Sequence, residues 1–257
     1  MFSFVEIAAA FGGGLLGAAI GALPAFIMAG ILVLANMPDM AFGPYFGPHI
    51  SFAGGVAAAA FATKRGLESG KDILTPLAKL NDGYVLLVGG LFGAAGLLVQ
   101  KLLAGFGTPT DTVALTVAIS GVAAQLMFGS GKVFHSYSLP DGKTAVFLIA
   151  LGLGVGLISG YAAIVTKNVV LGFGIAATTL ILIQFMGVGP VTHHLALPGA
   201  LAAAATGNIW MGALFGILGA LLGDFFGKSM NSGDTHVDPP ALTIAVLTLF
   251  VVLFLKP

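Results

Sequence analysis

From Tyr84 to Phe106 the chain runs 23 residues with a single charge, Lys101. A helix of that length is about 34 Å long, enough to cross a hydrocarbon core of about 30 Å. Similar apolar runs recur at Val5–Ile20, from Pro24 to Leu34, and at Asp111–Phe128, Thr144–Thr166, Asn168–Met186, Asn208–Phe226 and Ala241–Leu255. Only 8% of the 257 residues are charged and the mean hydropathy is +1.05. A soluble domain carries about 25% charged residues. Twenty charges could not cover a soluble protein of this length, so lipid is the expected solvent for most of the surface. The first residues lack a basic signal-peptide region, and the N-terminal apolar run is expected to be a retained membrane segment.

Basic and acidic residues are equal in number, ten each, which leaves no basic face for nucleic acid. There is no cysteine, so disulfides, thiol nucleophiles and Cys-based metal sites are excluded. Glycine is abundant, at 39 residues. In membrane helices glycine permits close backbone approach and local unwinding. Gly13, Gly17 and Gly21 recur every four residues as a doubled GxxxG groove. Such a groove, if it faced lipid, would invite a second copy of the chain.

The order of landmarks points to duplication. Gly13, Gly17 and Gly21 correspond to Gly152, Gly156 and Gly160 at an offset of 139. His49 and Gly55 correspond to His193 and Gly199 at 144, each histidine following a Gly-Pro pair (Gly43–Pro44, Gly189–Pro190). Gly89-x-Leu-Phe-Gly-x-x-Gly96 corresponds to Gly212-x-Leu-Phe-Gly-x-x-Gly219 at 123, and Asp111 to Asp238 at 127. The drop of 21 between 144 and 123 matches the charged stretch Lys64–Asp82, an insertion in the first half. The expected fold is an all-α polytopic membrane protein with an internal two-fold repeat, residues 1–131 and 132–257, in one integral membrane domain. About ten hydrophobic helical segments are expected, one per half short or broken.

Basic residues mark the cytoplasmic side. With all ten segments crossing, Lys64, Arg65, Lys71, Lys79, Lys132, Lys143 and Lys228 share one side, and Lys101, Lys167 and Lys256 the other. If the short segments re-enter instead, the count is again seven to three, with Lys256 now on the basic-rich side. Inverted halves in an inner membrane are the preferred reading, with re-entrant segments and parallel halves as the alternative.

The short segments His49–Thr63 and Gly187–Thr206 carry the candidate path residues: His49, Gly54, Gly55, Gly189, Pro190, His193, His194, Pro198 and Gly199. An embedded imidazole can relay protons or bind a small polar solute. A broken helix frees backbone groups that can line a path. The alternatives are histidines capping helices at the interface and glycines that merely pack. Asp111 and Asp238 fit helix N-caps as well as paired carboxylates beside a path. Asp224 is a further candidate, as an acid at the end of an apolar run. Gln100, Gln125 and Gln184 are embedded amides, expected either to tie helices together or to line the path.

Enzyme motifs are absent: no HExxH, no Walker A sequence, no base for the Gly129–Gly131 GSG, and no second carboxylate in a setting like that of Asp224. No enzyme, cofactor or metal is expected. The expected function is secondary transport of a small solute or ion along a path between the halves, with proton coupling through histidine as one mechanism. A passive channel of two half-helices is the first alternative, and a membrane subunit of a larger complex the second.

Overall fold

The computed structural model describes residues 3–255, so Lys256 of the charge count lies outside the described residues. Twelve α-helices follow one another among them, with no β-strand. They are α1 (Phe4–Ile20), α2 (Ala22–Leu34), α3 (Pro38–Phe42), α4 (Ser51–Ala62), α5 (Gly83–Gly105) and α6 (Thr112–Phe128). Then come α7 (Gly142–Thr166), α8 (Leu171–Thr179), α9 (Ile181–Met186), α10 (His193–Thr206), α11 (Ile209–Ser229) and α12 (Pro239–Phe250), the last continuing as a π-helical turn to Leu255.

Three of these, α5, α7 and α11, are long and apolar enough to cross a membrane. The pair α1–α2 adds a fourth only if counted as one span bent by 119°. The expected ten crossing segments are therefore not found. Backbone breaks are the reason. Gly21 sits at φ +97° and turns the chain between α1 and α2. The Asn168–Met186 run divides at Leu180 into α8 and α9. The 17 residues of α6 reach only about 25 Å, and the 12 and 14 of α4 and α10 about 18 and 21 Å. The long helices turn large apolar side chains outward, among them Leu91, Val146, Ile158 and Trp210.

Glycine sets the packing. In one cluster α1, α4 and α5 meet; in another α7, α10 and α11 do. A Cβ on Gly14 would stand 2.2 Å from the Gly89 carbonyl oxygen, and one on Gly54 2.6 Å from the same oxygen. In the second cluster a Cβ on Gly156 would stand 2.2 Å from the Gly212 carbonyl oxygen, and one on Gly199 2.9 Å from it. Only glycine allows backbones this close. The clusters join through α2 on α8 and α6 on α12. Gly30 fits beneath Ala177 and Thr178, while Thr110 and Thr248 share a hydrogen bond of 2.8 Å.

The polar loops gather at one end. Gly70 bridges to Thr235, and Lys71 Nζ donates to the Asn231 carbonyl. His135 N donates to the Ser229 carbonyl at 2.7 Å, and Lys228 Nζ to the Ser138 carbonyl at 3.3 Å. The charged stretch 64–82, the segment 129–141 and the loop 229–238 are thereby tied together. All three embedded amides tie segments to one another. Gln125 Nε2 donates to Asp234, Gln100 Nε2 to Thr112 Oγ1, and Gln184 Nε2 to the Leu74 carbonyl.

Candidate functional site

The start of α10 is the centre of the site. Gly189 and Pro190 lie in the irregular segment that leads into α10, and Thr192 precedes a helix whose first two residues are His193 and His194. Both imidazoles are buried, and the Nδ1 atom of each has no hydrogen-bond partner among the described residues. Such atoms are rare in folded proteins and point to water or a ligand. His194 is seated where Gly223 of α11 leaves room: a Cβ there would stand 2.4 Å from its Nε2.

A cavity of about 780 Å³ opens beside these histidines. Its polar wall carries His193, His194, His236, Asp224, Asn231 and Asp238. Its apolar wall comes from α2 (Leu23, Phe26), α4 (Phe52) and α7 (Phe147, Leu151). A second cavity of about 220 Å³ lies against α6, α8 and α12, with Asp111 and Phe173 in its wall. Phe26, Phe52, His193 and Asp238 line both cavities and so form the waist between them. The Phe26 ring centroid lies 5.6 Å from that of Phe52, 5.7 Å from Phe173 and 4.7 Å from His193. This is ordinary aromatic packing distance, and it closes the waist with rings.

Asp238 is the waist's charge. Its Oδ2 accepts the Ala241 amide at 2.8 Å, capping α12, and its Oδ1 lies 3.1 Å from His236 Nε2. Asp111 caps α6 in the same way, accepting the Ala114 amide at 2.9 Å. Asp224 is paired with Lys228 Nζ at 2.8 Å and accepts from the Tyr137 hydroxyl at 3.4 Å.

Of the residues singled out in the sequence, Gly189, Pro190, His193, His194, Asp224 and Asp238 come together on the larger cavity, and Asp111 on the smaller. His49, Gly54, Gly55, Pro198 and Gly199 line neither cavity. Helix α4 runs unbroken through Gly54 and Gly55, and α10 through Pro198 and Gly199. Gly55 packs on Ala22, and Gly54 and Gly199 lie in the glycine contacts described above. His49 is buried in the turn before α4. Its carbonyl lies where a Cβ on Gly96 would approach it to 1.9 Å. The equivalent contact in the other cluster is between Gly219 and the His194 carbonyl, not that of His193. Sequence reasoning passed over Phe26, Phe52, Asn231 and His236. The His236-x-Asp238 spacing was the available signal, since it sets an imidazole beside an N-cap carboxylate. No signal marked the two phenylalanines among twenty.

Residues 35–137 match a family of unknown function, DUF7973, and residues 134–256 match it again. The chain belongs to this family. No curated protein and no solved structure matches it. The two DUF7973 matches meet in the linker before α7. The first contains His49, Phe52 and Asp111, and the second contains His193, His194, His236 and Asp238. Phe26 precedes both.

Proposed function

We propose that this protein is a multi-pass inner-membrane transporter for a small polar solute or ion, built from two homologous halves with the path between them. The observation that carries the reading is the shared waist. Two cavities lie on either side of Phe26, Phe52, His193 and Asp238. Two of these residues belong to each half. A rocking motion of the halves would open the waist to one cavity and then the other, as in transporters built from repeats. A waist of touching aromatic rings favours such a carrier over an open channel.

Duplication is supported by the two successive DUF7973 matches and by the paired glycine contacts. Gly14, Gly54 and Gly89 meet as Gly156, Gly199 and Gly212 do, which shifts the α1–α7 offset from 139 to 142 and the α4–α10 offset to 145. The joined loops carry Lys64, Arg65, Lys71, Lys79 and Lys132, and Lys228 lies beside them in the last turn of α11. Their meeting at one end is the arrangement expected of the cytoplasmic side.

The test is flux into proteoliposomes containing the purified chain, run on a panel of alkali cations, small amines and small carboxylates. Saturable uptake with counterflow is expected for at least one, reduced at least tenfold by Asp238→Asn or His193→Ala. Non-saturating flux without counterflow would make the protein a channel. Uptake unaffected by either substitution would remove the waist from the path.

A further inference from the structure

The walls of the two cavities are biased in charge. The chain has ten basic and ten acidic residues, yet among the described residues the cavity walls hold Asp111, Asp224 and Asp238 and neither lysine nor arginine. An anion entering here meets three carboxylates, of which only Asp224 is offset by a lysine, Lys228, that itself stands outside the walls.

The three acids are not equivalent. Asp224 is neutralised by Lys228. Asp111 sits in the smaller cavity as the cap of α6. Asp238 faces both cavities, and its side-chain partner is the His236 ring, with no lysine or arginine in contact among the described residues. It is the carboxylate left to receive a charge from the solute.

The rest of the waist suits a particular kind of cation. Phe26 and Phe52 present aromatic surface within the same wall, and the face of such a ring attracts a cation. The larger cavity is mostly apolar beyond them, with Leu23, Leu151 and Phe147. The unpartnered Nδ1 atoms of His193 and His194 provide an independent sign of a polar occupant, since neutral imidazole nitrogens can accept from an N–H donor. Among the described residues no three His, Asp or Glu side chains come together as a metal site, so a bare divalent ion is a poor match.

We propose that the site takes a small organic monocation, an ammonium group on an apolar body. The ammonium lies against Asp238 at the waist and donates toward the histidines. The body lies against Phe26 and Phe52 in the larger cavity, whose volume of about 780 Å³ is in the range of small-molecule sites. This assignment rests on the transport reading of the same site.

The test is binding to the full-length chain in detergent at neutral pH, by calorimetry and by ligand-induced shift of the melting temperature. The probes are phenethylammonium, the near-isosteric neutral 2-phenylethanol, and phenylacetate. Phenethylammonium is expected to bind saturably and at least tenfold more tightly than either. Asp238→Asn, which keeps an N-cap, is expected to weaken it at least tenfold, and Phe26→Leu several-fold. Equal or tighter binding of phenylacetate, or unchanged binding by the Asp238→Asn protein, would overturn the assignment. Saturable flux of another solute without phenethylammonium binding would sink the substrate class and leave the transporter standing. Binding that depends on Asp238, with no flux of any probe, would sink the transporter and leave the cation site.

Discussion

The carboxylate of Asp238 lies 3.1 Å from the Nε2 of His236 while it caps α12 through the amide of Ala241. One side chain thus holds a helix end and supplies the charge at the waist, and the two roles can be separated. Asparagine caps a helix about as well as aspartate, whereas alanine loses about 1 kcal/mol. Asp238→Asn is expected to leave the thermal midpoint in detergent close to wild type while lowering flux at least tenfold. Asp238→Ala is expected to lower both. If the asparagine variant unfolded as easily as the alanine variant, the charge itself would be structural.

The glycines of α7 separate just as cleanly. A Cβ at Gly156 would stand 2.2 Å from the Gly212 carbonyl oxygen, a backbone atom that cannot step aside without moving α11. Gly156→Ala is expected to destabilise by about 1–3 kcal/mol through overpacking. At Gly154, two residues away, nothing lies within 4 Å, and alanine there is expected to be neutral or stabilising by up to about 1 kcal/mol. Equilibrium unfolding in detergent measures both. Equal effects at the two positions would mean the contact between α7 and α11 is not as close as described.

The same glycines explain what could and could not be read from the sequence. Charged and polar residues are sparse, so His193, His194, Asp111 and Asp238 stood out, and all four reached a cavity wall. That the chain holds helices long and apolar enough to cross a membrane followed from composition. The number of crossing helices did not, because hydropathy averages over Gly21 and Leu180, where the backbone breaks without becoming polar. Register slipped for a related reason. Gly12, Gly13 and Gly14 are adjacent, and the sequence gives no sign that Gly14 meets Gly89 while Gly12 faces open space. The waist phenylalanines were invisible because an apolar residue lining a cavity has the same local pattern as one facing lipid.

The seating of His194 gives a third prediction. The Gly223 Cβ position lies 2.4 Å from His194 Nε2, a side-chain atom that can yield by rotation of the ring. Gly223→Ala is expected to displace the imidazole from the cavity wall without unfolding the protein. Flux should fall several-fold with a smaller loss of stability than Gly156→Ala causes. One helical turn on, Gly227 has only an ordinary 4.0 Å contact with Pro239, so Gly227→Ala serves as the control and should retain flux. A Gly223→Ala protein with wild-type flux would show that the position of the His194 ring does not matter.

The joined loops carry the last prediction, a dependence on pH. The Asp234 carboxylate accepts from the Ser130 amide at 3.1 Å, the Ser130 hydroxyl at 3.0 Å and Gln125 Nε2 at 2.8 Å. The Ser130 amide chiefly holds its pKa below the ordinary 3.8, against partial burial and with help from Gln125. Because the folded value lies below the unfolded one, the carboxylate stabilises the fold fully above the ordinary value. That contribution fades as pH falls through the folded value. The wild-type melting temperature should therefore exceed that of Asp234→Asn at neutral pH, and the gap should close on acidification below about pH 4. Gln125 links this carboxylate to Thr235 on the loop before α12, so the loss should loosen α6 from that loop. Hydrogen exchange at the amides of Ser130 and Thr235 should rise together in the variant. A melting gap that stays constant down to pH 3, or exchange that rises at only one of the two amides, would show that Asp234 does not fasten the two segments to each other.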